Sequence, residues 1–377
     1  MSRHCIRSFL CAAAPLIAVL SALGGLGAIA SAQCGPTITG HFGGETTAFT
    51  RVNADTLLVA NGTHVELVSV FNSFEPMSFS PRRTAPLNGP AVKLDMTLGS
   101  GRAYALLKNG DVQVFSLANA PGLTVSPLST IASGDAVDIA AAGNTVFIAT
   151  QIEQRIGFDA YIDSELYVYD ATLNPAVRRQ TFEPLTDDYG YDRLVVVGST
   201  LWTGFHELES SIYGVEGFNI ANLASVTRGA AALNNVAIDD ETSIAAMAVS
   251  GNNLIVGYSP SSHDYALAAV DVSIPSAPAW RPPLPFNSNG DMTGLATSGA
   301  LVRAAFGNRG VRTFDFADPF NTQQTGVHND LFPFVTRMHI VGGGTGVDWW
   351  AGGRAGLMSM NTTNPSAVGT YWTLKTL

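Results

Sequence analysis

Apolar residues fall along this chain in short runs, most of them closed by Asp or Asn and followed by a turn-forming Gly, Asn or Pro. The phrase recurs seven times, as Val70-Phe71-Asn72, Val114-Phe115-Ser116, Val168-Tyr169-Asp170, Gly217-Phe218-Asn219, Ala269-Val270-Asp271, Thr313-Phe314-Asp315 and Ser359-Met360-Asn361. Its closing residues stand 44, 54, 49, 52, 44 and 46 positions apart. A second marker keeps the same rhythm. Tight turns are expected at Asn53-Ala54-Asp55, Gly99-Ser100-Gly101, Gly143-Asn144, Gly198-Ser199, Gly251-Asn252-Asn253, Ser298-Gly299 and Gly342-Gly343-Gly344. β-Branched and aromatic runs bounded by Gly, Asn and Pro signal strands, and no segment after the N-terminal leader shows a helical period. A strand-only repeat of this length predicts an all-β fold, a seven-bladed β-propeller of four-stranded antiparallel blades.

The third repeat shows the expected division. Ala136 to Ala140 reads as a first strand, Thr145 to Ala149 as a second and Leu166 to Asp170 as a third, with a fourth from Val177 to Phe182. Blades are expected over 45–88, 89–131, 132–185, 186–237, 238–287, 288–331 and 332–377. Either Thr37 to Phe42 or Val368 to Leu374 would complete the ring and remove an open sheet edge.

The N-terminus reads as an export signal. Arg3, His4 and Arg7 form a basic start, an apolar stretch runs from Phe9 to Ala30, and Ala30-Ser31-Ala32 has the small-x-small pattern of a cleavage site. Cleavage after Ala32 leaves a mature propeller of 33–377, periplasmic, cell-surface or extracellular, with no membrane insertion. Of three cysteines only Cys34 remains, so packing rather than an internal disulfide must stabilise the fold.

Only 13% of residues are charged and 46% are hydrophobic, against roughly 25% charged in ordinary domains. Most strands must therefore be covered on both faces, as in stacked blades. Loss of Arg3 and Arg7 takes the net charge from −10 to −12, which argues against nucleic acid as a partner. The closing Asp or Asn of each repeat is read as structural, its side chain accepting the backbone N–H two residues on.

Two stretches carry a family resemblance. Arg309-Gly310-Val311-Arg312-Thr313-Phe314-Asp315-Phe316-Ala317-Asp318-Pro319 and Gly356-Leu357-Met358-Ser359-Met360-Asn361-Thr362-Thr363-Asn364-Pro365 resemble the LVIVD repeat of bacterial extracytoplasmic β-propellers, and Ala268 to Pro278 is similar to it. Ser116 and the missing proline after Asn219 depart from it. The resemblance implies the fold and an exported location, and it transfers no catalytic residue.

Candidate chemistry gathers on one face. Expected second-to-third-strand loops at Gln151 to Glu165, Gly204 to Glu216 and Tyr258 to Tyr265 share that face with the blade-to-blade connections. Asp159, Asp163, Glu165, Asp187, Asp188 and Asp192 are candidate ligands for a divalent cation, calcium suiting their hard oxygens. His206, Glu207, Asp239, Asp240, Glu241, His263, Asp264, Asp291 and Asp330 complete an acidic binding surface. No nucleophile elbow, dinucleotide fingerprint or phosphate loop is present. The expectation is a monomeric binding module for a protein or glycan partner, with calcium as the candidate cofactor. A hydrolase or lactonase at the channel mouth and a structural envelope component are the alternatives.

Overall fold

The computed structural model describes 46–53, 56–69, 84–118, 123–156, 159–207, 212–234, 243–259, 264–287, 292–306, 311–328, 337–338, 347–352 and 356–361. The expected signal, both candidate closing strands, and the turns at 54–55 and 342–344 lie outside these residues.

The described chain forms antiparallel sheets in sequence order. The first holds Thr46–Asn53, Thr56–Asn61, His64–Ser69 and Thr84–Pro86. The second holds Ala91–Asp95, Arg102–Leu107, Val112–Ala118 and Thr124–Ile131. Ala136–Ala142, Thr145–Ile156, Asp159–Asp170 and Val177–Phe182 make the third. The fourth is Tyr189–Val197, Thr200–Glu207, Tyr213–Asn219 and Thr227–Asn234. In the fifth, Ser243–Ser250, Asn253–Ser259 and Asp264–Asp271 are followed by Ala279–Trp280 and Leu284–Asn287, both paired with the third strand. The sixth comprises Gly294–Ser298, Leu301–Ala305, Val311–Asp315 and Gln323–His328. Arg337–Met338, Val347–Gly352 and Gly356–Asn361 form a seventh sheet, three-stranded among the described residues. Each sheet contacts the next, and Thr46–Asn53 of the first contacts Val347–Gly352 of the seventh, so the sheets close a ring.

Alternation within the strands explains why the sequence is apolar throughout. Val146 and Ile148 pack with Tyr104, Leu106 and Val114 of the second sheet. Their neighbours Phe147 and Ala149 point the other way, to Tyr191, Leu201 and Phe205 of the fourth. Successive side chains of a strand leave on opposite faces, and here each face meets another sheet. The same arrangement joins Trp202 and Val215 to Leu254 and Val256, and Ile255 and Leu267 to Val302 and Phe314. Fully burying each large apolar side chain contributes about 2 kcal/mol, so the core is a chain of inter-sheet seams.

The turns follow the expected chemistry. Gly198 adopts φ 58° between Val197 and Thr200, a left-handed geometry that glycine enters without a Cβ penalty. The closing carboxylates and amides make the expected turn bonds. Asp170 Oδ1 accepts the N–H of Thr172 at 2.9 Å, Asn219 that of Ala221 at 3.0 Å, Asp271 that of Ser273 at 3.0 Å and Asp315 that of Ala317 at 2.8 Å.

One expectation needs correction. The surplus residues of the third repeat form no loop. Thr145–Ile156 and Asp159–Asp170 pair residue for residue from Thr145 opposite Asp170 to Ile156 opposite Asp159. The other expected loops shrink in the same way: strands continue to Glu207 and Ser259 and resume at Tyr213 and Asp264.

Candidate functional site

A bulge recurs along the innermost strands and sets what faces the centre. In each of the first five sheets the inner strand passes over a residue: Thr47, Val92, Val137, Asp192 and Ala245, with Val52 a second such residue in the first sheet. The residue after each of those five then faces the fifth residue of the second strand. Ala48 pairs with Ala60, Lys93 with Leu106, Asp138 with Ala149, Arg193 with Gly204 and Ala246 with Gly257. A bulge re-aims side chains and interrupts alternation. Three consecutive sheets thus carry a charged residue at one level: Lys93, Asp138 and Arg193.

The inner strand of each sheet has no hydrogen-bonded neighbour on its central side, so its N–H groups there need other partners. Carboxylates of the preceding sheet supply them. Asp95 Oδ2 accepts the Ala141 N–H at 2.9 Å, Asp138 Oδ2 the Leu194 N–H at 2.7 Å, and Asp192 Oδ2 the Ile244 N–H at 2.9 Å. Asp138 also receives Lys93 Nζ at 2.7 Å, and Arg193 donates through Nε to the Ala245 carbonyl at 2.7 Å. Four consecutive sheets are joined by these contacts.

These strands enclose a central channel of about 840 Å³. Its lining is largely apolar all round, with Val92, Leu94, Met96, Leu194 and Val195 among the residues of the second and fourth sheets, and a few charges are set into it. Lys93, Asp95, Asp138 and Arg193 come from the second, third and fourth sheets. Ala246, Met247, Ala248, Met292, Leu295 and Phe49 come from the fifth, sixth and first, with the hydroxyls of Thr293 and Thr297 the polar side-chain groups among the described residues there. Asp95 lines the channel and is half-buried. Burial pushes its carboxyl up to about 6, against the opposing pull of Lys93 and the N–H groups of Met96 and Ala141, while Asp138 adds to the rise.

The expected site residues divide sharply. Asp192 and His206 meet, Nδ1 standing 2.9 Å from both carboxylate oxygens, and both residues are buried. Burial alone would lower the imidazole pKa, but Asp192, with a further contribution from Glu153, raises it above its usual value. Glu207 is half-buried at the end of its strand, and its N–H bonds the Ile212 carbonyl at 2.9 Å. Asp163 is exposed on the long hairpin, opposite Ile152. Glu165 receives the Tyr167 hydroxyl. Asp187 and Asp188 are exposed just before Tyr189. Asp159 starts a strand opposite Ile156, and Asp264 starts one opposite Asn287. Asp239, Asp240, Glu241, His263, Asp291 and Asp330 lie outside the described residues. Among the described residues no group of three or more His, Cys, Asp or Glu side chains is placed to hold a metal ion.

Sequence reasoning offered Arg193 for a channel-mouth enzyme but missed Lys93, Asp95 and Asp138 of the channel and one further ion pair. Glu216 is buried in the fourth sheet, 2.9 Å from Arg228 Nε and 3.0 Å from the Tyr191 hydroxyl, and burial raises its pKa against the pull of Arg228. Beside it a peripheral cleft of about 680 Å³ is lined by Glu165, Arg178, Phe182, Glu183 and Arg228. The signal for the channel was present: charges interrupt the apolar first strands, Asp138 and Arg193 each standing four residues before the strand ends at Ala142 and Val197.

Among the described residues no helix is long and apolar enough to cross a membrane. No protein-family model and no curated protein sequence matches the chain. Solved structures do. The hydrazine synthase of Kuenenia stuttgartiensis is similar at 14% identity and TM-score 0.58, covering 89% of this chain and 99% of its own. A chain of the mitotic checkpoint complex matches at 10% identity and TM-score 0.57, covering 94% and 97%. The WD40 repeats of RRP9 match at 10% identity and TM-score 0.55, covering 85% and 91%. At such identities the likeness is one of fold, and the fold is that of a β-propeller.

Proposed function

We propose that the mature chain is an exported, seven-bladed propeller that acts as a protein-interaction module through the face bearing the third-sheet hairpin. The observation that carries this reading is the hairpin itself. Its strands are 12 residues each, whereas their counterparts in the first, second, fourth, fifth and sixth sheets run from 5 to 8. Four further residues per strand extend it by about 13 Å. It carries Ile152, 37% exposed, with exposed Glu153 and Asp163, and packs against the strand Tyr189–Val197, which follows Leu185, 44% exposed, Asp187 and Asp188 in the chain. Apolar side chains ringed by carboxylates on a rigid scaffold suit a basic, partly apolar protein surface. The propeller fold shared with WD40 chains supports the same reading.

The test is a variant carrying Glu153→Lys, Asp163→Lys and Asp187→Lys. Proteins crosslinked to the wild-type chain in an envelope extract should be lost with this variant while its melting temperature is unchanged. Retention of the same proteins would overturn the assignment of this face. Calcium at Asp159, Asp163, Glu165, Asp187, Asp188 and Asp192 is tested separately, by the melting temperature of residues 33–377 after EDTA, with and without millimolar calcium. Binding to the folded state raises it by mass action, and no rise removes the cation from the proposal.

A further inference from the structure

We infer that the central channel is a binding site for a small amphipathic carboxylate, its head group on Arg193 and its apolar body against Met247, Met292 and Leu295. The channel holds a volume of about 840 Å³, enough for a small molecule. Among the described residues its charged side chains come from the second, third and fourth sheets, and Leu94, Met96, Leu194 and Val195 of those sheets join Met247, Met292 and Leu295 in a largely apolar lining.

Arg193 is the group that selects the ligand's charge. Lys93 spends its charge on Asp138, 2.7 Å away. Arg193 donates Nε to Ala245 and Nη1 to the Asp192 carbonyl, both neutral acceptors, and among the described residues no carboxylate stands within ion-pair distance of it. Its Nη2 hydrogens are not used by these bonds, and a guanidinium presents a planar fork that a carboxylate matches. A half-buried cation with only neutral partners among the described residues gains from a bound anion. The apolar wall gains in turn from a hydrocarbon body, which neither inorganic phosphate nor a sugar supplies.

Asp95 sets the pH dependence. The groups facing it are Lys93, Asp138 and the Tyr104 hydroxyl, and it lines the same channel as Arg193. As pH falls through about 6 this carboxyl takes up a proton, the channel loses a negative charge, and a carboxylate ligand binds more tightly.

Calorimetric titration of the mature chain with hexanoate, hexanol and hexylamine at pH 5.5 and 7.5 tests the inference. Hexanoate is expected to bind at least tenfold more tightly than either comparator, and more tightly at pH 5.5. Arg193→Met should lose at least tenfold in hexanoate affinity, Arg193→Lys should retain most of it, and Asp95→Asn should flatten the pH response. Preference for hexylamine, or full affinity in a folded Arg193→Met chain, would overturn the site. Because Arg193 also bonds Ala245, a second measurement avoids mutation: the methyl NMR signals of Met247 and Met292 in the wild-type chain must shift with hexanoate. Unmoved signals sink the proposal regardless of how the variants fold.

Discussion

Asp192 holds His206 with both carboxylate oxygens, each 2.9 Å from Nδ1, while one of them also receives the Ile244 N–H from the next sheet. The pair therefore fixes the fourth sheet internally and ties it to the fifth. Replacing Asp192 with Ala leaves a buried imidazole and a buried amide without their acceptor. The expected cost is about 3 kcal/mol in urea unfolding at neutral pH. A cost below about 0.5 kcal/mol would show that the contact is dispensable.

The same pair gives a pH signature. The His206 pKa is raised above 6.5 in the folded chain, so its charged form is favoured by folding. The stabilisation is fully present below about pH 6.5 and is lost as pH rises through the raised folded value. The stability difference between the wild type and His206→Gln should therefore shrink from pH 6 toward pH 9. A difference that grows over that range would reverse the assignment.

Asp138 separates two contributions at one carboxylate. It pairs with Lys93 and accepts the Leu194 N–H, and it is 3% exposed. Asp138→Leu alone should cost about 3 kcal/mol, because it leaves an ammonium and an amide unpaired. Adding Lys93→Met should recover the ionic part but not the roughly 1 kcal/mol for the Leu194 amide. Chemical denaturation of the single and double variants reads both quantities.

The closing carboxylates act in the opposite pH direction. Asp271 has a lowered pKa, first from the Ser273 hydroxyl and amide and then from Arg281. Its contribution is present above about pH 3.8 and is lost as pH falls through the folded value. Asp271→Ala should cost about 1 kcal/mol at pH 7. Below pH 3 the variant and the wild type should unfold at the same urea concentration.

Two glycines with similar φ should respond very differently. Gly110 has φ 82°, and a Cβ there would run into the Gly134 carbonyl oxygen. Gly198 has φ 58° with nothing within 4 Å of the Cβ position. Gly198→Asn should cost less than about 1 kcal/mol, since Asn tolerates left-handed geometry. Gly110→Ala must add displacement of backbone to that strain, and its melting temperature should fall several times further.

The repeat was legible because it is local. Turn residues such as Gly143-Asn144, the closing Asp170 with its bond to Thr172, and the apolar runs between them are decided within a few positions. The long hairpin was misread because Gln151 to Glu165 is polar enough to resemble a loop. Its strands nevertheless pair through Ile156 opposite Asp159.

The chain by itself determined the strand order, the turns and the doubly covered strands, since each depends on neighbours in sequence. Only the tertiary structure decided which carboxylates stay in solvent. Asp187, Asp188 and Asp192 look alike in one short stretch, yet the first two are exposed and the third is buried against His206. A bulge between Tyr191 and Arg193 takes Asp192 out of register, and its amide partner Ile244 lies 52 residues away on the next sheet. Strand alternation is read from adjacent residues, but a bulge shifts its parity. What a re-aimed side chain then meets depends on the sheet that closes beside it.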